Sequence, residues 1–253
     1  MRDIGVVIVA AGSGTRAGGG ASGGGASGGG ASRGRGGVDS GSAEGNAKQF
    51  RWVAGKPMLL HSLQEFQARD DVVMVVCVLP RSHAGDPPPW LFQSDVDRLL
   101  VSVGGRARGE SVLNGIQDLP AEATVVLVHD AARPLAGAAT IERVVREARG
   151  GRGAVAALPV VDTLKEVDER GRIARTVPRA GLWRAQTPQG FPRAMIERAY
   201  VEARRDGVAA TDDAALCERL GFEVVVVRGS ERAVKITAES DFALAEAMFP
   251  LQE

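Results

Sequence analysis

The 253-residue sequence predicts an α/β fold, with a mostly parallel sheet covered by helices on both faces and a projecting β-hairpin arm. Three observations carry this. Short runs rich in Val and Ile alternate with stretches of helical apolar spacing, the order that strand–helix–strand crossovers produce. The runs are almost continuously apolar, without a polar residue at every second position, as expected of strands buried on both sides. One polar segment, 163–177, breaks the alternation.

In chain order, strands are predicted at 4–10, 72–79, 99–103, 124–129, 154–161 and 223–227. Helices fill the intervals. Pro57 opens one that places Leu59, Leu60, Leu63 and Phe66 on a single stripe, and 109–119 and 140–149 are two more. Later helices are predicted at 192–205, 211–220 and 239–249, with Thr211 as N-cap and Asp212 and Asp213 in the first turn. The segment 163–177 reads as two short polar strands around a turn at 169–171. A hairpin this polar has little core of its own, so the arm, 162–182, is expected to project and be held by a second copy of the chain.

Composition bounds the function. Of 33 Gly, 14 lie between Ala17 and Asn46, where GGGAS repeats three times; the other 19 are spread at an ordinary density. The chain is therefore one globular domain, 1–253, carrying a Gly/Ala/Ser-rich insert at 17–46 that is expected to be flexible. It leaves no room for two full catalytic domains. Lys and Arg balance Asp and Glu at 31 each, which argues against nucleic acid or an anionic membrane as partner. The apolar run 4–11 is too short for a membrane span and lacks the flanks of a secretory signal, so the chain reads as cytoplasmic. Cys77 and Cys217 sit in apolar contexts and read as buried thiols.

The first strand runs into Ala10-Ala11-Gly12-Ser13-Gly14-Thr15-Arg16. A Gly-rich turn at the carboxyl end of a buried strand brings backbone N–H groups close to an anion. Gly12-x-Gly14-x-x-Ala17 also fits a dinucleotide fingerprint, but that requires a helix directly after the turn, where the insert stands. A plain tight turn is a third reading. The reading favoured is a nucleoside triphosphate loop of non-Walker type: if the insert loops out, Lys48 of Lys48-Gln49-Phe50 returns beside Arg16, and two cations meet over one polyphosphate.

AAGSGTR, KQF and GKPML, in that order, resemble nucleotidyltransferases that join a nucleoside monophosphate to a sugar phosphate. Further blocks narrow the likeness: GGxxRxxSV at 104–112, VHDAARP at 128–134, DTLK at 162–165, GLWxAQTPQ at 181–189, TDDA at 211–214 and VKIT at 234–237. Together they resemble the 2-C-methyl-D-erythritol 4-phosphate cytidylyltransferase family. The resemblance implies a Rossmann-like sheet and transfer of CMP from CTP to methylerythritol phosphate, with release of pyrophosphate. It further implies that Ala10, Ala11, Gly12 and Gly14 cradle CTP while Arg16 and Lys48 stabilise its phosphates. Gly105, Arg106 and Ser111 would form the cytosine and ribose pocket, and Asp130, with Ala131 beside it, would lie near ribose and Mg2+. Arg133, Thr163, Arg179, Thr211 and Lys235 would hold the second substrate, with Arg179 and Lys235 counted as catalytic alongside Arg16 and Lys48. The family lends its arm to the neighbouring subunit's site, so a homodimer is implied. Ribitol 5-phosphate as acceptor, an NAD-dependent oxidoreductase and an inactive nucleotide-binding protein are the alternatives. His129, among apolar neighbours, reads as a hydrogen-bonded structural imidazole. The chain departs from the family at Ala47, where Pro is usual, at Pro178, where Asp is common, and in the 31 residues between Arg16 and Lys48.

Overall fold

The computed structural model describes residues 1–12, 47–209 and 211–250. The insert 17–46, Gly14 and Arg16 lie outside the described residues. In chain order the elements are β1 (Ile4–Val9), β2 (Trp52–Val53), β3 (Lys56–Pro57), α1 (Met58–Gln67), β4 (Val72–Leu79), α2 (Arg81–Ala84), β5 (Leu99–Val103), α3 (Arg108–Gln117), β6 (Val125–Asp130) and α4 (Ala138–Arg149). Then follow β7 (Gly153–Pro159), β8 (Leu164–Val167), β9 (Ile173–Val177), β10 (Trp183–Pro192), α5 (Arg193–Arg205), α6 (Asp213–Arg219), β11 (Val224–Arg228) and α7 (Glu239–Met248).

A seven-stranded sheet runs in the order β11-β7-β10-β6-β1-β4-β5. Its pairs are parallel except for β10, which is antiparallel to both β6 and β7. Side-chain alternation divides the core in two. Ile4, Val6 and Ile8 of β1 pack with α1 and α4 on one face, and Val7 joins Val112 and Ile116 of α3 and Ile196 of α5 on the other. Burial on both faces is why these strands read as continuous apolar runs.

The six predicted strands are present, their ends shifted by at most two residues. β10 is the one main-sheet strand the sequence did not announce. Its residues WRAQTPQGFP are polar and include Pro188, which cannot donate to a ladder. The structure accommodates this with a bulge: Ala185 pairs with Ala157 and Gln189 with Val155, so Pro188 falls where the register is interrupted. The N-cap of α6 is Asp212, which accepts from the Ala215 N–H at 3.0 Å, rather than Thr211. The hairpin β8–β9 forms as expected, with almost all its residues exposed.

A third, small cluster joins distant segments. Val53 and Met58 pack against Ile236, Phe242 and Ala245. Arg51 reinforces it, donating to both carboxylate oxygens of Glu239 at 2.6 and 2.7 Å and stacking over Phe242. Lys48 is thereby brought to the same end of the sheet as the 231–237 segment.

Candidate active site

A cavity of about 550 Å³ opens beyond the carboxyl ends of β1 and β6, the place where open α/β sheets bind ligands. It is lined by Ala10, Ala11 and Gly12, by Lys48 and Gln49, by residues 105–108 and Ser111, by Asp130 and Ala131, and by Lys235. Of the expected nucleotide-site residues among the described ones, all line this one cavity.

The floor is built by main-chain contacts. Ala10 donates to the Val78 carbonyl at 2.9 Å, extending β1 by one residue, and the buried Gln49 amide donates to the Ala10 carbonyl. Gly104 and Gly105 are required by space: a Cβ on Gly104 would lie 2.2 Å from that of Ala11, and one on Gly105 2.3 Å from that of Glu110. The Gly105 N–H donates to Ser111 Oγ at 3.1 Å, and the Arg106 N–H donates to Glu110 Oε2 at 2.7 Å. The loop 104–107 is thus pinned by the first turn of α3.

Asp130 ends β6, and its carboxylate is held from two sides. Lys235 Nζ donates to Oδ2 at 2.7 Å, and Arg108 Nε lies 3.5 Å from Oδ1. Burial would raise its pKa; Arg108, Lys235 and Arg133 outweigh burial and hold it down at about 2, so the group is anionic at neutral pH. Arg108 in turn donates from both terminal nitrogens to Asp213, at 3.1 and 2.8 Å. Sequence reasoning passed over Arg108 as a functional group. Its place in GGxxRxxSV, at the start of the helix carrying Ser111, is the signal that could have singled it out.

His129 is fully buried and structural, as expected. Its Nε2 contacts the Arg133 carbonyl at 3.0 Å and its Nδ1 contacts Thr187 Oγ1 at 3.0 Å. A carbonyl only accepts, so Nε2 carries the proton and Nδ1 accepts from the threonine hydroxyl. Thr187 Oγ1 accepts from the Asp130 N–H at 3.1 Å. Burial lowers the His129 pKa to about 4, keeping the ring neutral.

The residues expected to hold the second substrate are more dispersed. Lys235 is in the cavity; Arg133 lies just behind it, donating to the Ala233 carbonyl at 2.7 Å, while its buried Nε has no hydrogen-bond partner among the described residues. Thr163 and Arg179 stand on the exposed arm, where Arg179 donates to the Val161 carbonyl. Thr211 is exposed beside α6. Apart from Lys235, none of these residues lines the cavity of the single chain.

Asp130 is the one carboxylate lining the cavity among the described residues, and no group of three or more His, Cys, Asp or Glu among them could hold a metal ion. One carboxylate, without a protein cage, suits magnesium that takes its remaining ligands from a polyphosphate and water. Cys77 and Cys217 are buried free thiols, as expected.

The family model described as 2-C-methyl-D-erythritol 4-phosphate cytidylyltransferase matches residues 35–250. A protein of that name from Salinibacter ruber is 41% identical over 81% of this chain and 87% of its own length. Another, from Ralstonia nicotianae, is 41% identical over 98% of this chain and 93% of its own. The crystal structure of 2-C-methyl-D-erythritol 4-phosphate cytidylyltransferase from Thermus thermophilus superposes with a TM-score of 0.75 at 31% identity, covering 98% of this chain and 100% of that one. By its sequence blocks, its fold and these likenesses, the chain belongs to the 2-C-methyl-D-erythritol 4-phosphate cytidylyltransferase family.

Proposed function

We propose that the protein transfers CMP from CTP to 2-C-methyl-D-erythritol 4-phosphate and releases pyrophosphate. The observation that carries this is the convergence of Lys48 and Lys235, far apart in sequence, on one cavity with Asp130 and the pinned loop 104–107. Both reactants are anions, so the main task is to hold them in line and stabilise the charge that builds on the α-phosphorus. The acceptor phosphate is already a nucleophile, which fits a site rich in cations whose nearby histidine is buried and neutral.

In this reading Ala10, Ala11 and Gly12, with Gly14, cradle the triphosphate, and Lys48 and Arg16 stabilise it. Gly105, Arg106 and Ser111 receive cytosine and ribose. Asp130 would hold Mg2+, which neutralises triphosphate charge. Lys235, with Arg133 behind it, would grip the acceptor phosphate. The chain acts as one nucleotidyltransferase domain with its arm at 162–182. Val161, Val167 and Ile173 on or beside that arm are 64%, 55% and 64% exposed, and a second copy would cover them and receive Thr163 and Arg179 into its own site. Thr211 would lie at the rim of the second-substrate pocket. No described helix is long and apolar enough to cross a membrane, in keeping with a cytoplasmic setting.

The test is pyrophosphate release with each of the four NTPs, Mg2+, and methylerythritol phosphate or ribitol 5-phosphate. Release with CTP and methylerythritol phosphate alone is expected; equal release with ribitol 5-phosphate would overturn the acceptor assignment.

A further inference from the structure

Asp213 is a carboxylate without exposed side-chain surface, removed from the cavity wall and joined to it, among the described residues, through Arg108. It accepts a two-pronged bond from the Arg108 fork at 3.1 and 2.8 Å and a further bond from the buried Tyr200 hydroxyl. The guanidinium is planar and rigid. With one N–H of each terminal nitrogen given to Asp213, the guanidinium is fixed in place, and it stands off from Asp130, its Nε 3.5 Å from Oδ1. The other oxygen, Oδ2, carries Lys235 at 2.7 Å, and the Lys235 side chain is 46% exposed.

The two oxygens of Asp130 are therefore unlike. Oδ1 is held by a cation anchored in the interior; Oδ2 is held by a half-exposed amine at the mouth of the site. Were Asp213 neutral, the nearest carboxylate for the Arg108 fork would be Asp130, and a fork spans both oxygens of a carboxylate.

We propose that Asp213 is a positioning residue for nucleotide binding: by holding the fork of Arg108, it keeps that arginine from closing on Asp130 and leaves the Asp130 carboxylate, its Oδ2 paired with the half-exposed Lys235, available to the incoming nucleotide. This rests on the reading of the cavity as the CTP site. It also assigns Lys235 two successive partners, Asp130 in the empty site and the acceptor phosphate once CTP is bound. Arg108 becomes a fixed internal cation with no part in gripping phosphate.

The experiment is calorimetric titration of the full chain with CTP in Mg2+, without the second substrate, on three proteins. Asp213→Asn keeps the shape and removes the charge, and it is expected to lose about tenfold or more in CTP affinity, the usual cost of disturbing a group that orients a ligand. Adding Arg108→Gln to that variant removes the arginine that would capture Asp130, and it is expected to restore most of the lost affinity. A purely structural role for Asp213 predicts the opposite, since the double variant would be no better than the single one, and that result overturns the proposal. So does unchanged affinity in Asp213→Asn. If the single variant does not fold, Asp213→Glu replaces it: the longer carboxylate pushes the Arg108 fork toward Asp130, so a lower CTP affinity that Arg108→Gln restores is expected, and an unchanged affinity overturns the idea. Failure of the unmodified protein to bind CTP would instead overturn the reading of the cavity, and this inference with it.

Discussion

Lys235 reaches the cavity because the chain is held on either side of it: Ala233 is buried and its carbonyl accepts from Arg133 at 2.7 Å. Ile236 donates to the Ala132 carbonyl at 2.8 Å and is buried against Met58 and Phe242, so the lysine between Val234 and Ile236 has one direction left. Lys235→Ala removes one of two cations on Asp130 and the proposed grip on the acceptor. Turnover is expected to fall by about a hundredfold or more in a protein that still folds, because the lysine side chain is half-exposed; near-normal pyrophosphate release would remove Lys235 from the mechanism. Lys48→Ala is expected to behave similarly in the same assay. The sequence made both lysines legible through short motifs. It did not make Arg108 legible in the same way, because an arginine acquires its role from the carboxylates it meets, and Asp130 and Asp213 lie far along the chain.

At the scale of elements, α6 and the arm make separate predictions. Asp212 caps α6 and also accepts from Gln189 Nε2 at 2.8 Å. Asp212→Ala should therefore cost about 1–2 kcal/mol in urea unfolding, and a midpoint equal to the parent's would show the cap to be idle. On the arm, charging the exposed apolar pair with Val167→Asp and Ile173→Asp should shift the chain to monomer in sedimentation and reduce activity, since Thr163 and Arg179 would leave the neighbouring site. Full activity in the monomer would end the shared-site proposal. The main-sheet strands that were legible are apolar runs, whether buried on both faces as β1 and β6 are or half-exposed at the sheet edges as β5 and β11 are. β10 was not, because its polar side chains are satisfied by segments that arrive from elsewhere: Gln186 donates to the Ser230 carbonyl at 2.9 Å, Thr187 pairs with His129, and Gln189 with Asp212. Local propensity carries no trace of such partners.

At the scale of the whole molecule, stability should depend on pH through His129. Its folded pKa, near 4, lies below the ordinary histidine value of 6.5. Between those values the unfolded chain binds a proton that the folded chain refuses, so stability falls as pH drops through that window, by about 3 kcal/mol in all. Burial lowers the pKa of His61 as well, which adds to the same slope. Asp130, with a folded pKa near 2 against 3.8, loses its contribution only below that window. Urea midpoints of the ligand-free protein between pH 7 and pH 4 check this; a flat profile across that range would refute it. The insert makes the second global prediction. Each doubling of a loop costs only about 0.6 kcal/mol in closure entropy, so shortening 17–46 should leave folding stability almost unchanged. It is expected to lower the KM for CTP, because the insert separates Arg16 from Lys48; identical KM values in the two proteins would refute the effect.

The sequence by itself determined the α/β class, the order of its strands and helices, the polar hairpin, and the blocks that place the chain in its family. These are local properties: apolar period, turn chemistry and short motifs are written within a few neighbouring residues. Only the tertiary structure decided that a polar, proline-containing segment runs antiparallel through the middle of the sheet, and that Asp130 stands between Lys235 and an arginine anchored by Asp213. Those outcomes depend on which charges and hydrogen-bond partners meet across the fold, and long-range pairing of that kind has no period along the chain.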